Sequence, residues 1–290
     1  MIPQANKIER IETELFLEAI YRRTGYDYRN YNRETINRRI HKLSIEQNVD
    51  NISQLIEKLL HDNGKLISCV IKDFSINVTE MFRDPAFYQN LRKKVIPFLK
   101  TYPFIKIWHA GCASGEEVYS LAIVLKEEGL YDKTTIYATD FNDAILEKAK
   151  KGIYSTEKIK KYTQNYQQAG GKESFADYYH AEYQSAILND NLKKNITFAN
   201  HNLVTDSVFS EVHLVLCRNV LIYFNTELQN RVLSLFRESL TYNGFLCLGM
   251  SENLEFSDVK NDFGHINKEY RIYQKNKRII PNNYKTSRLT

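Results

Sequence analysis

The chain has 290 residues, 43% of them hydrophobic, and a formal net charge of +5. This length suggests one to two domains with cores large enough to need no disulfides, and the mild charge does not by itself indicate nucleic-acid binding. The N-terminal residues lack the apolar segment of a secretion signal, and no stretch reaches the roughly 18 apolar residues that span a bilayer. We therefore expect a cytoplasmic protein with no membrane insertion and no nucleic-acid partner.

The cysteine pattern argues against two kinds of stabilising framework. Cys69, Cys112, Cys217 and Cys247 are scattered, with no CxxC pair and no histidines at ligand spacing. The pattern therefore does not favour structural zinc or a disulfide scaffold. We expect reduced, mostly buried thiols and no metal site.

Residues 1–80 are predicted to form a small helical domain. Ile11, Leu15 and Ile20 recur at helical spacing, as do the apolar residues of 52–60 and 67–74. Strand-like alternation is absent from this stretch. The pattern favours several short amphipathic helices over a sheet.

This helical region carries a cluster of basic residues: Arg22, Arg23, Arg29, Arg33, Arg38, Arg39 and Lys42. If 33–47 is a helix, its apolar residues share an inward face, and Arg38, Arg39 and Lys42 point mostly outward. A basic face of this kind attracts an acidic helical partner. An ordinary solvated face is the alternative interpretation.

Residues 81–275 alternate between predicted strands and helices. The strands are expected at 105–111, 134–140, 195–202, 212–217 and 244–250, and the helices at 116–128, 143–151 and 226–240. This alternation predicts a parallel sheet with right-handed crossovers. The closing segment, 266–274, is expected to pair antiparallel at the sheet edge.

Two further segments break the alternation. Residues 153–194 are polar and rich in tyrosine, and they are too long for a plain loop, so they are predicted to be an inserted subdomain or a binding loop. Residues 276–290 are predicted to be a flexible, basic tail.

Ligand-like side chains follow the first two strands of the predicted sheet, where open α/β sheets bind their ligands. Gly111 and Gly115 let the backbone approach an anionic group at the start of a helix, although a purely structural turn explains them equally well. Asp140 suits a ribose diol, or it caps the helix that follows. The glycine spacing differs from that of dinucleotide enzymes, which disfavours a nicotinamide dehydrogenase.

The later strands end in the same way. Asn202 and Leu203 follow the third strand and suit an adenine ring. Arg218 and Asn219 follow a buried apolar strand, and such polar groups need a partner. That partner is either a ligand or an internal hydrogen bond at the strand end.

Three segments resemble the CheR-type chemotaxis receptor methyltransferases: residues 77–84 (NVTEMFRD), 110–122 (AGCASGEEVYSLA) and 217–224 (CRNVLIYF). Residues 16–48, with RTGYD at 23–27, resemble the helical domain of that family. The resemblance implies an α/β class I S-adenosylmethionine-dependent methyltransferase with a Rossmann-like, mostly parallel sheet. It also implies a small N-terminal all-α domain and an inserted antiparallel β-subdomain. One departure is Val118, which stands where the family has a proline; a helix tolerates valine there.

The resemblance implies a set of residues that bind S-adenosylmethionine: Asn77, Thr79, Arg83, Gly111, Glu117, Asp140, Asn202, Leu203, Arg218 and Asn219. Within this set, Glu117, or Glu116 in its place, contacts the amino-acid end of the cofactor. Arg83 and Tyr223 are expected nearest the transferred methyl group. The alternatives are a surface salt bridge for Arg83, with Asp84 or Glu80, and a core aromatic role for Tyr223.

The implied reaction is methyl-ester formation on glutamates of a partner protein of the chemoreceptor type, with S-adenosylhomocysteine as product. A glutamate carboxylate, with a pKa of about 4.3, is already ionised at neutral pH and needs no strong general base. Catalysis would then rest on proximity and alignment. A cofactor-binding scaffold with little turnover and a nucleic-acid methyltransferase are the alternatives. We expect a monomer, and the sequence leaves open whether the inserted segment binds a tethering peptide.

Overall fold

The N-terminal part of the chain is helical, as predicted. The structure is a computed structural model that describes residues 4–74, 79–208 and 210–276. The first helices are α1 (Gln4–Thr24), α2 (Arg33–Glu46), α3 (Ile52–Leu60) and α4 (Lys65–Phe74). Asparagine side chains cap α2 and α3, where Asn32 accepts a bond from Thr35 N and Asn51 from Gln54 N.

The helical domain encloses its own apolar core, to which α1, α2, α3 and α4 all contribute. Ile20 lies in this core, but Ile11 and Leu15, which share its helical spacing, are about half exposed. α1 carries two apolar stripes, and the stripe that includes Phe16 and Leu17 packs inward. Helical spacing does not identify the buried stripe, because both stripes have it.

The rest of the chain alternates between strands and helices. In chain order the strands are β1 (Ile105–Ala110), β2 (Thr134–Asp140), β3 (Ile153–Ser155), β4 (Tyr179–Glu182), β5 (Ser185–Leu188), β6 (Ile196–Asn200), β7 (Val212–Cys217), β8 (Leu240–Leu248), β9 (Phe263–Asn267) and β10 (Ile272–Lys275). The helices are α5 (Pro85–Lys94), α6 (Ile96–Leu99), α7 (Glu116–Glu127), α8 (Asp143–Lys151), α9 (Thr156–Gln168) and α10 (Thr226–Ser239).

The main sheet has the order β6-β2-β1-β7-β8-β10-β9 and confirms the predicted α/β fold. Its first five strands are parallel. From β1 the chain builds outward through β2 to β6, and it then crosses to β7 on the other side of β1. Open α/β sheets bind ligands at such a reversal, outside the carboxyl ends of the strands. The topology therefore places the loops after β1 and β7 side by side.

The C-terminal end of the sheet differs from the single edge strand predicted at 266–274. The chain forms a hairpin in which β10 pairs antiparallel with both β8 and β9, so β9 is the edge. Arg271, with a φ of +52°, lies in the turn. The sequence concealed this hairpin because residues 268–271 contain no glycine, proline, asparagine or aspartate, the usual turn residues.

The inserted subdomain is a three-stranded antiparallel sheet of order β3-β5-β4, accompanied by α9. The helix was not predicted, because the segment is polar overall. The buried tyrosines of the subdomain, Tyr162, Tyr166 and Tyr178, pack into the same core as the main sheet. The subdomain is therefore anchored to the sheet by aromatic side chains.

The predicted division of the chain at residue 80 stays a prediction, because residues 75–78 lie outside the described ranges, as does the expected tail beyond Asn276. The thiols of Cys112, Cys217 and Cys247 are buried and that of Cys69 is exposed; all four are free. Among the helices described, none is both long enough and apolar enough to cross a membrane.

Candidate active site

A crevice opens at the carboxyl ends of the parallel strands, where loops of the sheet meet the helical domain and the linker that follows it. The predicted residues that line it are Thr79, Arg83, Gly111, Glu117, Asp140, Asn202, Leu203, Arg218, Asn219 and Tyr223. Asn77, the remaining predicted cofactor residue, lies outside the described residues. Among these predicted residues, the cavity brings together positions up to 144 apart in the sequence, from Thr79 to Tyr223.

The loop after β1 forms one wall of the crevice. Gly111 has a φ of +72°, and a Cβ there would lie 2.6 Å from Cγ2 of Val220. The amides of Gly111 and Cys112 both donate to the carbonyl of Thr139, each at 2.9 Å. A side chain at position 111 would therefore disturb both this loop and the turn after β7.

Asp140 ends β2 and is nearly buried. Its Oδ2 accepts a bond from the amide of Ala113 and its Oδ1 one from the amide of Asn142, both at 3.0 Å. Burial raises the pKa of Asp140, and these backbone bonds oppose the rise. The cap of α8 is Asn142 and not Asp140, because the Asn142 side chain accepts from Ala144 N at 3.0 Å.

A buried ion pair joins the first turn of α7 to the turn after β7. Arg218 Nη1 lies 3.2 Å from Glu117 Oε2, and Arg218 Nη2 lies 2.7 Å from Asp84 Oδ2. Burial opposes ionisation of Glu117, but the charge of Arg218 and the contact with His109 outweigh it and lower the pKa of Glu117 to about 2. Nε2 of His109 lies 3.4 Å from Glu117 Oε1. Glu117 is therefore ionised at the crevice.

Glu116, the fallback for Glu117, faces the inserted subdomain. It accepts a bond from Ser114 Oγ at 2.6 Å and one from Tyr162 Oη at 3.4 Å. It is not among the residues that line the crevice. The structure thus has Glu117, the residue that the resemblance implied, at the crevice, and Glu116, its fallback, away from it.

Arg83 and Tyr223 both line the crevice and are both half-buried. Among the described residues, no carboxylate oxygen lies within 4.0 Å of the Arg83 side chain, and Asp84 pairs with Arg218 instead. The predicted alternative for Arg83, a surface salt bridge, is therefore absent from the described part of the chain. Burial raises the pKa of Tyr223, and the charges of Arg83 and Arg39 oppose the rise.

Asn202 and Leu203 form the wall after β6. Oδ1 of Asn202 accepts a bond from Val204 N at 3.0 Å, which stabilises the turn that carries both residues. Leu203 is 7% exposed and Asn202 is half-buried. An apolar and an amide side chain thus lie together at this end of the crevice.

The helical domain also contributes to the crevice, although no sequence pattern predicted this contribution. Tyr31 lines it and packs its ring 5.1 Å from that of Phe224. The backbone amide of Asn32 donates to the carbonyl of Tyr223 at 2.7 Å. The backbone amide of Asn225 donates to the carbonyl of Asn30 at 2.9 Å. No local pattern marks these residues, because their function depends on a contact between domains.

Several other lining residues were also absent from the predicted set: Phe74, His109, Cys112, Ala113, Phe141, His201, Val204, Val220 and Phe224. The sequence could have predicted His109, because it lies two residues before Gly111, the first glycine of the loop after β1. A histidine beside a ligand-binding loop often contributes to the site.

The basic face of α2 is only partly as predicted. Arg38 and Lys42 are exposed, but Arg39 is half-buried, and burial lowers its pKa. Lys42 pairs with Asp73 at 3.2 Å and with Glu46 at 3.3 Å. The outward orientation expected for Arg39 is therefore wrong in part. The guanidinium of Arg39 lies near enough to Tyr223 of the other domain for its charge to oppose the rise in the pKa of that tyrosine.

The residues of the crevice fit S-adenosylmethionine. Glu117 and Arg218 offer opposite charges for an amino-acid group, and Asp140 offers a carboxylate for a ribose diol. Oδ1 of Asn219 and Nδ1 of His109 are buried at the crevice and have no hydrogen-bond partner among the described residues. Buried polar atoms of this kind are satisfied by a polar ligand or by water.

Comparisons with known proteins agree with this arrangement. A family model described as "CheR methyltransferase, SAM binding domain" matches residues 77–272. Another, described as "CheR methyltransferase, all-alpha domain", matches residues 11–75. Together they cover both the helical domain and the sheet that carries the crevice.

Relatives of similar length match both the helical domain and the sheet domain. The chain is 49% identical over 265 residues to "Putative methyltransferase Cher3" of Pseudomonas putida, which covers 91% of this chain and 97% of that protein. It is 30% identical over 256 residues to the "Chemotaxis protein methyltransferase" of Listeria monocytogenes, covering 88% and 93%. Identity to "Chemotaxis protein methyltransferase 1" of Pseudomonas aeruginosa is 28% over 260 residues, covering 83% and 89%. The chain therefore belongs to the CheR methyltransferase family, and its cofactor is S-adenosylmethionine.

Proposed function

We propose that this protein is a protein-glutamate O-methyltransferase that esterifies glutamates in the helical region of a chemotaxis-type receptor, in the cytoplasm and as a monomer. The observation that carries the proposal is a single crevice that holds the buried pair Glu117–Arg218 together with Arg83 and Tyr223. Relatives named as chemotaxis protein methyltransferases support this class of acceptor.

Each end of the cofactor has a proposed set of partners. Glu117 would bind the ammonium group of its amino-acid end, and Arg218 would bind the carboxylate. Asp140 would accept bonds from the ribose hydroxyls, since carboxylate oxygens have lone pairs beyond those used by Ala113 and Asn142. Asn202 and Leu203 would flank the adenine ring.

The remaining members of the proposed set close the pocket. Gly111 lets the backbone approach the ligand, and Asn219 offers its unpaired Oδ1. Thr79 lies on the linker side of the crevice. Asn77, two residues earlier, is proposed to lie on the same side.

Bound S-adenosylmethionine supplies a methyl group that is activated by its sulfonium. The protein has to bring a glutamate carboxylate to that group, and we assign this task to Arg83. Because the carboxylate loses its charge on esterification, a group that held the carboxylate too strongly would slow the step. A half-buried arginine, partly screened by water, suits this role. Tyr223 is assigned to packing and hydrogen bonding beside the reaction centre.

No general base is required in this scheme. The acceptor glutamate, with an ordinary pKa of about 4.3, is already ionised at neutral pH. His109, the histidine that contacts Glu117, lies at the proposed amino-acid end of the cofactor. We therefore assign it to the cofactor site and not to proton transfer.

The experiment that tests the function is transfer of a labelled methyl group from S-adenosylmethionine to proteins of a host lysate, followed by alkali. Carboxyl methyl esters release methanol under base, whereas N-methyl groups do not. We expect alkali-labile label in a receptor-sized band. Cofactor binding without any transfer would favour the alternative, a regulatory protein of the same fold.

The catalytic assignments predict that Arg83→Ala and Tyr223→Phe each lower kcat by roughly tenfold or more, because alignment of the reacting groups is lost. Affinity for S-adenosylhomocysteine, measured by calorimetry, should change far less. Arg10→Ala, at an exposed position on α1, is the control and should leave kcat unchanged. Full turnover in both crevice variants would remove these two residues from the mechanism.

The face formed by Arg38, Arg39 and Lys42 is proposed to dock the acidic acceptor helix. Arg38 gives the sharpest test, because Lys42 is ion-paired and Arg39 is half-buried. Arg38→Glu should raise KM for the protein acceptor at low salt and leave binding of S-adenosylhomocysteine unchanged, since surface charges steer association. Arg10→Glu, exposed on α1 outside the basic cluster, is the matched control. An unchanged KM at low salt would contradict the docking role.

A further inference from the structure

The turn after β7 carries four residues of the crevice, Arg218, Asn219, Val220 and Tyr223, and it is irregular. Asn219 has a φ of +62°, in the left-handed region. The amides of Asn219, Val220 and Ile222 do not join the backbone ladder of the sheet. Partly buried amides of this kind need another acceptor, or the turn is destabilised.

A single carboxylate accepts all of these amides. Glu252, in the loop after β8, accepts bonds from Asn219 N at 3.0 Å, Val220 N at 2.8 Å and Ile222 N at 3.3 Å. It also accepts one from Gly249 N at 2.5 Å. Carboxylate bonds to backbone amides are stronger than neutral ones. The turn is therefore held by bonds from its amides to a carboxyl group outside its own segment.

Glu252 has no competing partner in the described part of the chain. It is 4% exposed, and no Lys, Arg or His nitrogen described here lies within 4.0 Å of its carboxylate. It lines a separate groove on the far side of the turn and is not one of the residues that line the crevice. Its carboxylate thus binds only backbone amides among the described residues, while the side chains of Arg218, Asn219 and Tyr223 line the crevice.

The loop that carries Glu252 is built closely against the turn. A Cβ at Gly249 would lie 2.8 Å from Glu252 Oε2 and 2.8 Å from Asn219 N. A side chain at position 249 would therefore push the carboxylate away from the amides. The contact between the Glu252 carboxylate and the amide of Asn219 therefore requires both the glutamate at position 252 and a glycine at position 249.

We propose that Glu252 is a positioning residue for methyl transfer: it holds the turn 218–223 so that Arg218, Asn219 and Tyr223 face the cofactor and the acceptor. It touches neither of them. This inference rests on the proposed roles of those three residues.

The test compares Glu252→Gln with Glu255→Gln, a control in the same loop whose side chain is exposed. Glutamine has the shape of glutamate, but its amide nitrogen faces backbone donors and cannot accept from them. We expect Glu252→Gln to weaken S-adenosylhomocysteine binding by roughly tenfold or more, measured by calorimetry. The amide proton resonances of Asn219, Val220 and Ile222 should move upfield by NMR, and Glu255→Gln should change neither measurement.

Affinity within twofold of wild type, with unmoved amide resonances, would overturn the role of Glu252. Failure of the wild-type protein to bind S-adenosylhomocysteine would instead overturn the assignment of the crevice itself. If Glu252→Gln shows no cooperative melting, Glu252→Asp decides the question, since it keeps the charge and shortens the reach by one methylene. It should bind several-fold more weakly than wild type, and equal affinity would again overturn the proposal.

Discussion

Gly111 lies where the loop after β1 passes closest to the turn after β7. Its φ is +72°, and a Cβ at this position would lie 2.6 Å from Val220 Cγ2, so there is no room for a side chain. The left-handed conformation alone costs a non-glycine residue roughly 1–2 kcal/mol, and the collision with Val220 adds to this. The loop after β1 and the turn after β7 can thus approach each other this closely only because residue 111 has no Cβ.

We expect Gly111→Ala to weaken S-adenosylhomocysteine binding by roughly tenfold or more, because the loop or Val220 must move. Calorimetry measures the affinity. Gly129→Ala is the matched control: Gly129 has a φ of +70°, but a Cβ there would meet nothing within 4 Å. It shares the backbone strain without the collision. Equal affinities in the two variants would show that the close approach at Gly111 is unimportant.

At the scale of elements, α9 of the inserted subdomain reaches the linker that carries Arg83. Asn165 is 2% exposed and donates its Nδ2 to the carbonyl of Met81 at 3.0 Å. The amide of Phe82 donates to Ser120 Oγ on α7 at 2.9 Å. The insert and α7 therefore together hold the two residues that precede Arg83.

We expect Asn165→Ala to lower the free energy of unfolding by about 1–3 kcal/mol, because it leaves a buried carbonyl without its partner. Urea denaturation measures this value. Gln167→Ala, at an exposed position on the same helix, is the control and should have little effect. A loss no larger than that of the control would mean that the bond to Met81 does not stabilise the fold.

At the scale of the whole molecule, Glu128 at the end of α7 ties three other segments to the sheet. Its carboxylate lies 2.9 Å from Arg92 of α5, 3.2 Å from Lys100 after α6 and 2.8 Å from Lys172 of the insert. Burial opposes ionisation of Glu128, but the bonds from Lys172, Lys100 and Arg92 outweigh it and lower its pKa to about 2. The ionised form is therefore favoured by folding.

A carboxyl whose pKa is lowered by folding stabilises the protein above its unfolded value, about 4.5, and loses this contribution as the pH falls toward 2. We expect Glu128→Gln to melt below wild type at pH 7, and the difference in melting temperature to shrink below about pH 4.5 and to disappear as the pH falls to about 2. Calorimetric melting across this range measures the difference. Glu147→Gln, on the exposed side of α8, should track wild type. A gap between Glu128→Gln and wild type that does not depend on pH would contradict this account.

Local sequence patterns were sufficient for the fold class and for six of the residues that line the crevice: Gly111, Asp140, Asn202, Leu203, Arg218 and Asn219. Alternating strands and helices predicted β1, β2 and β7 and the helices α7 and α8, because hydrophobic periodicity is a property of neighbouring residues. Polar residues at strand ends predicted Asp140 and Arg218, because the carboxyl ends of parallel strands share one edge. The family resemblance supplied the linker residues and Tyr223.

Contacts between distant segments were decided only by the tertiary structure. It distinguished Glu117 from Glu116, showed that Arg39 is half-buried, and brought Tyr31 of the helical domain to the crevice. It also placed Glu252 against a turn more than 25 residues earlier in the chain. Sequence patterns report which residues lie on the same face of a helix or strand. They do not report which faces of separate elements meet, because packing between elements determines that.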